Sequence, residues 1–588
     1  MGLFVSKPKN KPNSLSKTLV FGGEAGEGIK SAGKIVSKTL LNLGLEVFLY
    51  DEYPSLIRGG HNAVFITYSE YPVYSVNKEI DLLVCLDKTT FELHKQNLGL
   101  ESVVIYDHED FLIYDDDLRN LPCEIVDIPI KQIIKKNGLP NIIRNTLYVS
   151  STMNILGIEK KVLEANVTNT LSKKPDLLEQ NIKAIGLAYT ASSEYKSIRK
   201  IPQKIGSSDK KSYFMTGNQA ISIGAIQSGI GFYAAYPMTP ASTILDFLTA
   251  NFRKYNYIVK QTEDEIAAIN MAIGASYAGA RSMVGTSGGG FSLMVEALGL
   301  AAITETPLVI VLAQRPGPAT GLPTWTGQGD LLFALHAAQD EFPRVVLCPT
   351  DHEEAMELAF KAFNIADKFQ VPVIILSDKF LSESQAKFSL KKSKKKIERG
   401  LMISSRALMR LDKFERYAST PNGISPRSIP GQEGGIFIAN SDESDSRGFS
   451  EESAENRIAK VKKRFAKLPS LKKELPDLNV YGDIRSKICI ITWGSTKGAV
   501  LEATRRLHNT GISLKILALN YIEPFPSEEV SKFLSSSKHV LLIEGNYTSQ
   551  LGQLIKIHTG HDIKNKLLKY DGRPIFPNEV VDKVLEII

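Results

Sequence analysis

The chain has 588 residues, 43% of them apolar and 23% charged. That length exceeds what one core supports and predicts roughly three to five domains. No stretch offers about 18 uninterrupted apolar residues, and the N-terminus has no apolar signal core, which argues against a membrane span and against secretion. The net charge of +7 is confined to two places: residues 1–18 carry four Lys and no acid, and residues 387–399 carry six Lys, one Arg and one Glu. The remainder is slightly acidic. The basicity therefore belongs to a tail and a linker, and nucleic acid is not expected as a partner. Cys85, Cys123, Cys348 and Cys489 form no CxxC pair. No zinc or iron–sulfur ligand set is expected in this chain, and the cysteine usage fits a reducing cytoplasm.

In chain order, residues 18–22 read as a buried strand, 29–43 as a helix and 46–50 as a second strand, with Gly22-Gly23-Glu24-Ala25-Gly26-Glu27-Gly28 after the first. Strand, glycine loop, helix and strand make a βαβ unit, which predicts a parallel sheet. Further strands are expected at 63–68, 82–86 and 103–106, and helices at 145–156 and 181–192. A basic tail at 1–16, expected to be disordered, precedes this first α/β domain (17–197), and a polar, basic linker (198–212) follows it. A second α/β domain is placed at 213–385. Its apolar runs 308–312 and 371–376 are long enough for strands buried on both faces, and helices are expected at 218–228, 265–278 and 353–369. Residues 386–482 lose periodicity and read as a basic linker with a functional or peripheral segment. A third α/β domain is placed at 483–588, with strands at 488–492, 513–519 and 540–543 and a helix at 496–509.

Several turns could carry chemistry. The loop at 22–28 brings backbone amides to a helix start, where an anion is favoured, and Asp51 follows the second strand where a ribose-binding acid would lie. Its spacing is GGxxGxG rather than GxGxxG, and Glu24 and Glu27 would repel a pyrophosphate, so a tight structural turn or a partner-contact loop competes with nucleotide binding. In Arg58-Gly59-Gly60-His61, Arg58 could clamp an anion or be an ordinary surface arginine.

The second domain is sharper. In Tyr236-Pro237-Met238-Thr239-Pro240 two prolines fix the backbone around Thr239, so its hydroxyl is held at little entropic cost on binding. The bland reading is a strand-to-helix turn with Thr239 or Ser242 as N-cap. Glu265 opens a helix rich in Ala and Gly; partial burial there should raise its pKa and suit proton exchange with a ring nitrogen. Glu263 and Asp264 fit the plain role of helix-start acids. Gly285-Thr286-Ser287-Gly288-Gly289-Gly290-Phe291 reads as a glycine turn open to close approach by a ligand or another chain. Arg315 lies beyond the carboxyl end of the strand at 308–312, between flanking Pro and Gly, where a substrate carboxylate is its natural partner.

Together these residues resemble the α chain of the 2-oxoacid:ferredoxin oxidoreductases, over nearly the whole sequence. The Tyr-Pro-Met-Thr-Pro turn is similar to the family's substrate turn. Glu263-Asp264-Glu265-Ile266-Ala267-Ala268 with Gly274-Ala275-Ser276-Tyr277-Ala278-Gly279 is similar to its pyrimidine-binding helix. Residues 286–294, 314–324 and Gln328-Gly329-Asp330-Leu331 resemble further family segments. The implied fold is α/β with three parallel-sheet domains: a fused γ domain, a thiamine pyrimidine-binding domain and a transketolase C-terminal-like domain. The resemblance implies thiamine diphosphate as cofactor. It places Tyr236, Pro237, Thr239, Glu265 and Ser287 against that cofactor, with Glu265 on the aminopyrimidine ring, and Thr239 and Arg315 on the 2-oxoacid. No Gly-Asp-Gly…Asn motif for magnesium diphosphate and no cluster cysteines occur here. The resemblance assigns magnesium and the iron–sulfur cluster to a separate β subunit, electrons to ferredoxin and the acyl group to coenzyme A. The fused two-subunit form most resembles the 2-oxoglutarate-type enzymes; pyruvate or a broader 2-oxoacid range stays open, as does a non-catalytic nucleotide-binding α/β scaffold. Two positions depart from the family pattern: Gly289 stands where proline is usual, and a Glu-His-Asp-Glu stretch appears only as Asp442-Glu443-Ser444-Asp445.

Overall fold

The structure, a computed structural model, describes residues 16–56, 59–113, 123–172, 174–201, 212–389 and 396–588. Nearly all of the N-terminal tail, most of the 198–212 linker, Arg58 and most of the lysine run at 391–396 lie outside the described residues. The described chain forms three sheets of eight, seven and five strands, with helices between them.

The first sheet runs in the order Glu124–Asp127, Leu98–Tyr106, Ile80–Cys85, Lys17–Glu24, His61–Ser69, Glu46–Glu52, Gln385–Ser389, Ser212–Thr216. The βαβ pattern predicts direct parallel pairing of the first two strands, and here the structure differs. His61–Ser69 lies between them, antiparallel to both, so that Ile66 faces Leu19 on one side and Leu49 on the other. A short connection between 52 and 61 lets the chain return antiparallel beside Glu46–Glu52, which a parallel neighbour could not do. The sheet is thus mixed: parallel from Lys17–Glu24 outward to Glu124–Asp127, antiparallel on the other side.

The second sheet is ordered Tyr521–Glu523, Val345–Leu347, Pro372–Asp378, Leu308–Gln314, Ser282–Thr286, Phe232–Ala235, Ile258–Gln261, all parallel except the first strand. Every residue of Leu308–Gln314 and Pro372–Asp378 is buried, because helices cover both faces. Glu265–Tyr277 and Gly288–Ile303 pack on one face with residues of the third sheet; Gly217–Gln227 and His352–Phe369 pack on the other.

The third sheet is ordered Val480–Gly482, Lys515–Leu519, Ile488–Trp493, His539–Glu544, Asn565–Leu568. Strands cross between the three units. Gln385–Ser389, leaving the second sheet, inserts into the first between Glu46–Glu52 and the edge strand Ser212–Thr216, and Tyr521–Glu523 of the third unit completes the edge of the second. Phe380 and Phe576 cover the inner face of the first sheet.

The segment that loses periodicity after 386 is tied down by buried charge. Asp367 receives Arg281 at 2.9 Å, Arg399 at 2.8 Å and Arg427 at 3.1 Å. Glu305 receives Lys463 at 2.5 Å and Lys467 at 2.8 Å. Lys463 comes from the helix Ala454–Phe465 and Lys467 lies just beyond it. Sequence periodicity reports apolar faces only, so a segment held by ion pairs has no periodic signature.

Candidate active site

The parallel strands Phe232–Ala235, Ser282–Thr286 and Leu308–Gln314 end side by side, and the predicted residues follow their carboxyl ends, where open α/β sheets hold ligands. The turn after the first strand leaves Tyr236 and Pro237 exposed and Thr239 half-buried, and the Thr239–Pro240 peptide is cis. Two side chains hold this turn. Arg315 donates from Nη1 to the carbonyl of Thr239 at 2.6 Å. Asn218, fully buried at the start of Gly217–Gln227, donates from Nδ2 to the carbonyl of Pro240 at 2.7 Å and to Thr243 Oγ1 at 2.8 Å. Thr239 is not a helix cap, and the helix Ser242–Tyr255 has no side-chain cap.

Glu265 is the first residue of Glu265–Tyr277. Asp264 does the capping, its Oδ1 accepting from the Ala267 amide at 2.8 Å, which leaves Glu265 free to point elsewhere. Glu265 is 3% exposed, and its Oε1 has no hydrogen-bond partner. Burial raises its pKa; its own backbone amide and the Thr286 hydroxyl oppose that, and the Asp264 charge adds to it. A Cβ on Gly290 would run into both Glu265 Oε1 and Thr286 Oγ1, so glycine is required there for close approach.

The predicted glycine turn is the start of a helix. Gly288–Ile303 begins inside it, despite the low helix propensity of three successive glycines. Ser287 occupies the N-cap, yet its side chain caps nothing and its fully buried hydroxyl has no partner. Asp330, N-cap of Leu331–His336, likewise makes no capping bond. Its carboxylate lies against Gly288, where a Cβ would come within 2.6 Å of Oδ2. Burial pushes the Asp330 carboxyl up to about 6 while the charge of Arg315 pulls it down. Burial also lowers the pKa of Arg315, and Asp330 counteracts this.

The loop from Arg315 to Asp330 is pinned by the third unit. Gln328 accepts the Gly545 amide on Oε1 at 2.8 Å and donates from Nε2 to the Trp493 carbonyl at 3.1 Å. Its carbonyl accepts from Asn546 Nδ2 at 3.1 Å. Arg315 on the Thr239 carbonyl, Thr286 Oγ1 at 3.8 Å from Met238 Sδ, and Glu265 and Thr286 both against Gly290 make Thr239, Glu265, Ser287 and Arg315 neighbours at the carboxyl ends of these strands, with Tyr236 and Pro237 exposed beside them. Sequence reasoning did not assign roles to Asn218, Thr286 or Asp330. Asn218 gives no local signal, since its partner is 22 residues away in sequence. Asp330 before an apolar run reads as an ordinary cap.

The loop at 22–28 is filled by its own acid. Glu27 Oε2 accepts the Glu24 amide at 2.8 Å, and Arg144 holds Glu27 Oε1 at 2.6 Å and Asp110 Oδ2 at 2.5 Å. Asp51 lies instead beside Lys30, and its carbonyl accepts from the buried Lys379 at 2.7 Å.

Residues 18–191 match the family described as pyruvate ferredoxin/flavodoxin oxidoreductase. Residues 223–463 match the pyruvate flavodoxin/ferredoxin oxidoreductase thiamine diphosphate-binding domain, and residues 486–580 match pyruvate:ferredoxin oxidoreductase core domain II. Thr239, Glu265, Ser287 and Arg315 all fall within the segment that matches the thiamine diphosphate-binding domain. A 2-oxoacid:ferredoxin oxidoreductase subunit alpha of Sulfolobus sp is 33% identical, with 97% of this chain and 96% of the relative covered. The 2-oxoglutarate oxidoreductase subunit KorA of Mycobacterium tuberculosis is 28% identical over 92% of this chain and 86% of its own length. Among solved structures, 2-oxoglutarate:ferredoxin oxidoreductase from Magnetococcus marinus, with 2-oxoglutarate, coenzyme A and succinyl-CoA bound, superposes with a TM-score of 0.91 at 29% identity, covering 97% of this chain and 99% of that one. The chain belongs to the 2-oxoacid:ferredoxin oxidoreductases, as an α subunit. A non-catalytic nucleotide-binding scaffold is thereby set aside: the family is enzymatic, and the glycine loop that suggested it is closed on Glu27. No helix of the described residues is long and apolar enough to cross a membrane.

Proposed function

We propose that this chain is the γ-fused α subunit of an enzyme that oxidatively decarboxylates 2-oxoglutarate to succinyl-CoA and passes the electrons to ferredoxin in the cytoplasm. The observation that carries the reading is Glu265: a buried carboxylate at a helix head, with an unpartnered oxygen, beside the strand-end turns that carry Thr239, Ser287 and Arg315. Such a donor set fits a protonatable aromatic ring, with Glu265 holding a proton at its ring nitrogen, the Ser287 hydroxyl as a further contact, and Tyr236, Pro237 and Thr239 walling the site. Thiamine diphosphate bound there would supply the electron sink for decarboxylation. Arg315 and the Thr239 hydroxyl orient the substrate carboxylate, and Arg315 supplies its countercharge. 2-Oxoglutarate is favoured by the whole-chain match to the Magnetococcus enzyme. Pyruvate or a broad 2-oxoacid range is the second reading, favoured by the pyruvate named in the matched family descriptions.

The site is half of a shared one. The outward faces of Glu265–Tyr277 and Gly288–Ile303 leave Ile266 at 51%, Met271 at 39% and Leu293 at 50% exposure, beside the exposed Tyr236. Exposed apolar side chains on the helices that carry Glu265 and follow Ser287 are what a β subunit carrying magnesium, the diphosphate site and the iron–sulfur cluster would cover. The test is reconstitution. The purified single chain should be inactive. With its partner chain, thiamine diphosphate and coenzyme A, it should reduce a viologen dye fastest with 2-oxoglutarate. Equal or faster rates with pyruvate would select the second reading; no turnover of any 2-oxoacid would sink both.

A further inference from the structure

Asp330 is not used by the function above, and its placement is unusual for the residue it resembles. An aspartate before a helix ordinarily accepts amide hydrogen bonds from the first turn. Elsewhere in this domain Asp264, Asp351 and Asp378 all do so. Asp330 instead turns its carboxylate toward Gly288, where the missing Cβ gives it room, while its backbone amide donates to Gln314 Oε1 at 3.0 Å. Gln314 is fully buried and in turn donates to the Ser377 carbonyl at 3.1 Å, so the backbone of Asp330 is fixed. Arg315, the residue after Gln314, is the cation that acts on Asp330; the two make no direct ion pair, and Arg315 donates to the Thr239 carbonyl. Arg315 and Asp330 therefore feel each other's charge without a direct ion pair between them.

We propose that Asp330 is a positioning and specificity residue for the substrate carboxylate: it balances Arg315 while the cleft is empty, and takes up a proton from solvent when the carboxylate of the 2-oxoacid arrives. This rests on the functional reading above. Two carboxylates next to one guanidinium cannot both stay ionised without repulsion, and the one with the weaker hold on charge yields. Asp330 is that one: burial already brings it to about 6, near neutrality. Arg315 is the charged group that acts on it, and the neutral Gln314 and Gln550 hold its neighbouring backbone, Gln550 through the Leu332 amide and the Gly329 carbonyl. The protonated carboxyl also becomes a donor to the bound substrate, so recognition uses a cation and a neutral acid together. An uncharged substrate analogue would gain nothing from either.

The reconstituted enzyme tests this through the pH dependence of KM for the 2-oxoacid. In the wild type, KM should rise roughly fiftyfold between pH 6 and pH 8, because ionised Asp330 must be neutralised before binding. In Asp330→Asn, which mimics the protonated acid, KM should be flat over that range and close to the wild-type value at pH 6. The kcat profile, which answers to Glu265, should keep its shape. A second measurement needs no variant: calorimetric titration of oxamate into the wild-type complex at pH 7, in two buffers of different ionisation enthalpy, should register uptake of up to one proton. A uniform loss of affinity in Asp330→Asn at every pH, or oxamate binding without proton uptake, would overturn the inference while leaving the functional reading intact. Absence of turnover with any 2-oxoacid would overturn both.

Discussion

The turn at 22–28 and the turn at 285–290 each join a buried strand to a helix, and in each a carboxylate lies against the glycines. In the first, Glu27 belongs to the turn itself. It caps the Glu24 amide and pairs with Arg144, so the carboxylate of this turn is satisfied within its own domain. In the second, Glu265 arrives from a separate helix and Asp330 from a loop 40 residues on. The Glu265 oxygen and the Ser287 hydroxyl stay unpartnered. The glycines also serve different ends. Gly26 and Gly28 adopt φ of 98° and 77°, which side chains resist, whereas Gly288 and Gly290 have ordinary backbone and are required because the Asp330 carboxylate at one, and the Thr286 hydroxyl and Glu265 carboxylate at the other, occupy the space of a Cβ, as Glu27 does at Gly23. A glycine turn becomes a candidate site when the polar groups packed against it come from elsewhere and remain unsatisfied.

Substitutions can break this contrast, and the largest effect should come from the second turn. Gly290→Ala forces a methyl into Glu265 and Thr286 and should lower kcat/KM of the reconstituted enzyme by more than about 100-fold, since a small misplacement of a catalytic group costs that much. Glu265→Gln removes the proton carrier but keeps the shape. Turnover should fall by about 100-fold or more, with co-elution of the subunits on size exclusion unchanged. Turnover at the wild-type level would remove Glu265 from the ring-nitrogen role.

In the first turn the effects should fall on stability. Arg144→Met removes the cation on Glu27 Oε1, leaves Asp110 with Lys131 and Tyr148, and should cost about 2 kcal/mol in denaturant unfolding, without altering thiamine diphosphate affinity. A shift in cofactor affinity would contradict the division of labour between the two turns. Gly28→Ala should cost about 1 kcal/mol through its positive φ.

The smallest effect sharpens the contrast through pH. Burial raises the Glu265 pKa above its unfolded value, so the folded state favours the protonated form. Any stability this gives is present at low pH and lost as pH rises through the folded pKa. Glu265→Gln should therefore stabilise the isolated chain by about 1 kcal/mol at pH 8, with a smaller gain at pH 5, as read from melting temperature. A gain independent of pH would mean that Glu265 is not a buried, ionising group.

Much of this was legible before any coordinates. The helix at Glu265–Tyr277 and the strands at Leu308–Gln314 and Pro372–Asp378 announced themselves through a start acid, an Ala/Gly-rich run and unbroken apolar stretches. Thr239, Glu265, Ser287 and Arg315 lie on motif-bearing turns, and the structure sets those turns at the ends of adjacent strands. What was illegible has specific causes. The helix beginning at Gly288 hides behind three glycines, whose weak propensity is overruled by packing. The segment after 386 hides because arginines and lysines on Asp367 and Glu305 hold it, and ion pairs leave no periodic trace.

The sequence alone determined which local elements form and which turns carry polar groups at strand ends, because periodicity, capping and turn chemistry act over a few residues. Only the tertiary structure decided that His61–Ser69 inserts between the first two strands, that the strand Gln385–Ser389 completes another unit's sheet, and that Ser287 and Asp330 forgo their helix ends for the cleft. Those outcomes depend on partners tens to hundreds of residues away. Whether a polar side chain caps its own helix or stays available to a ligand is settled by what packs beside it.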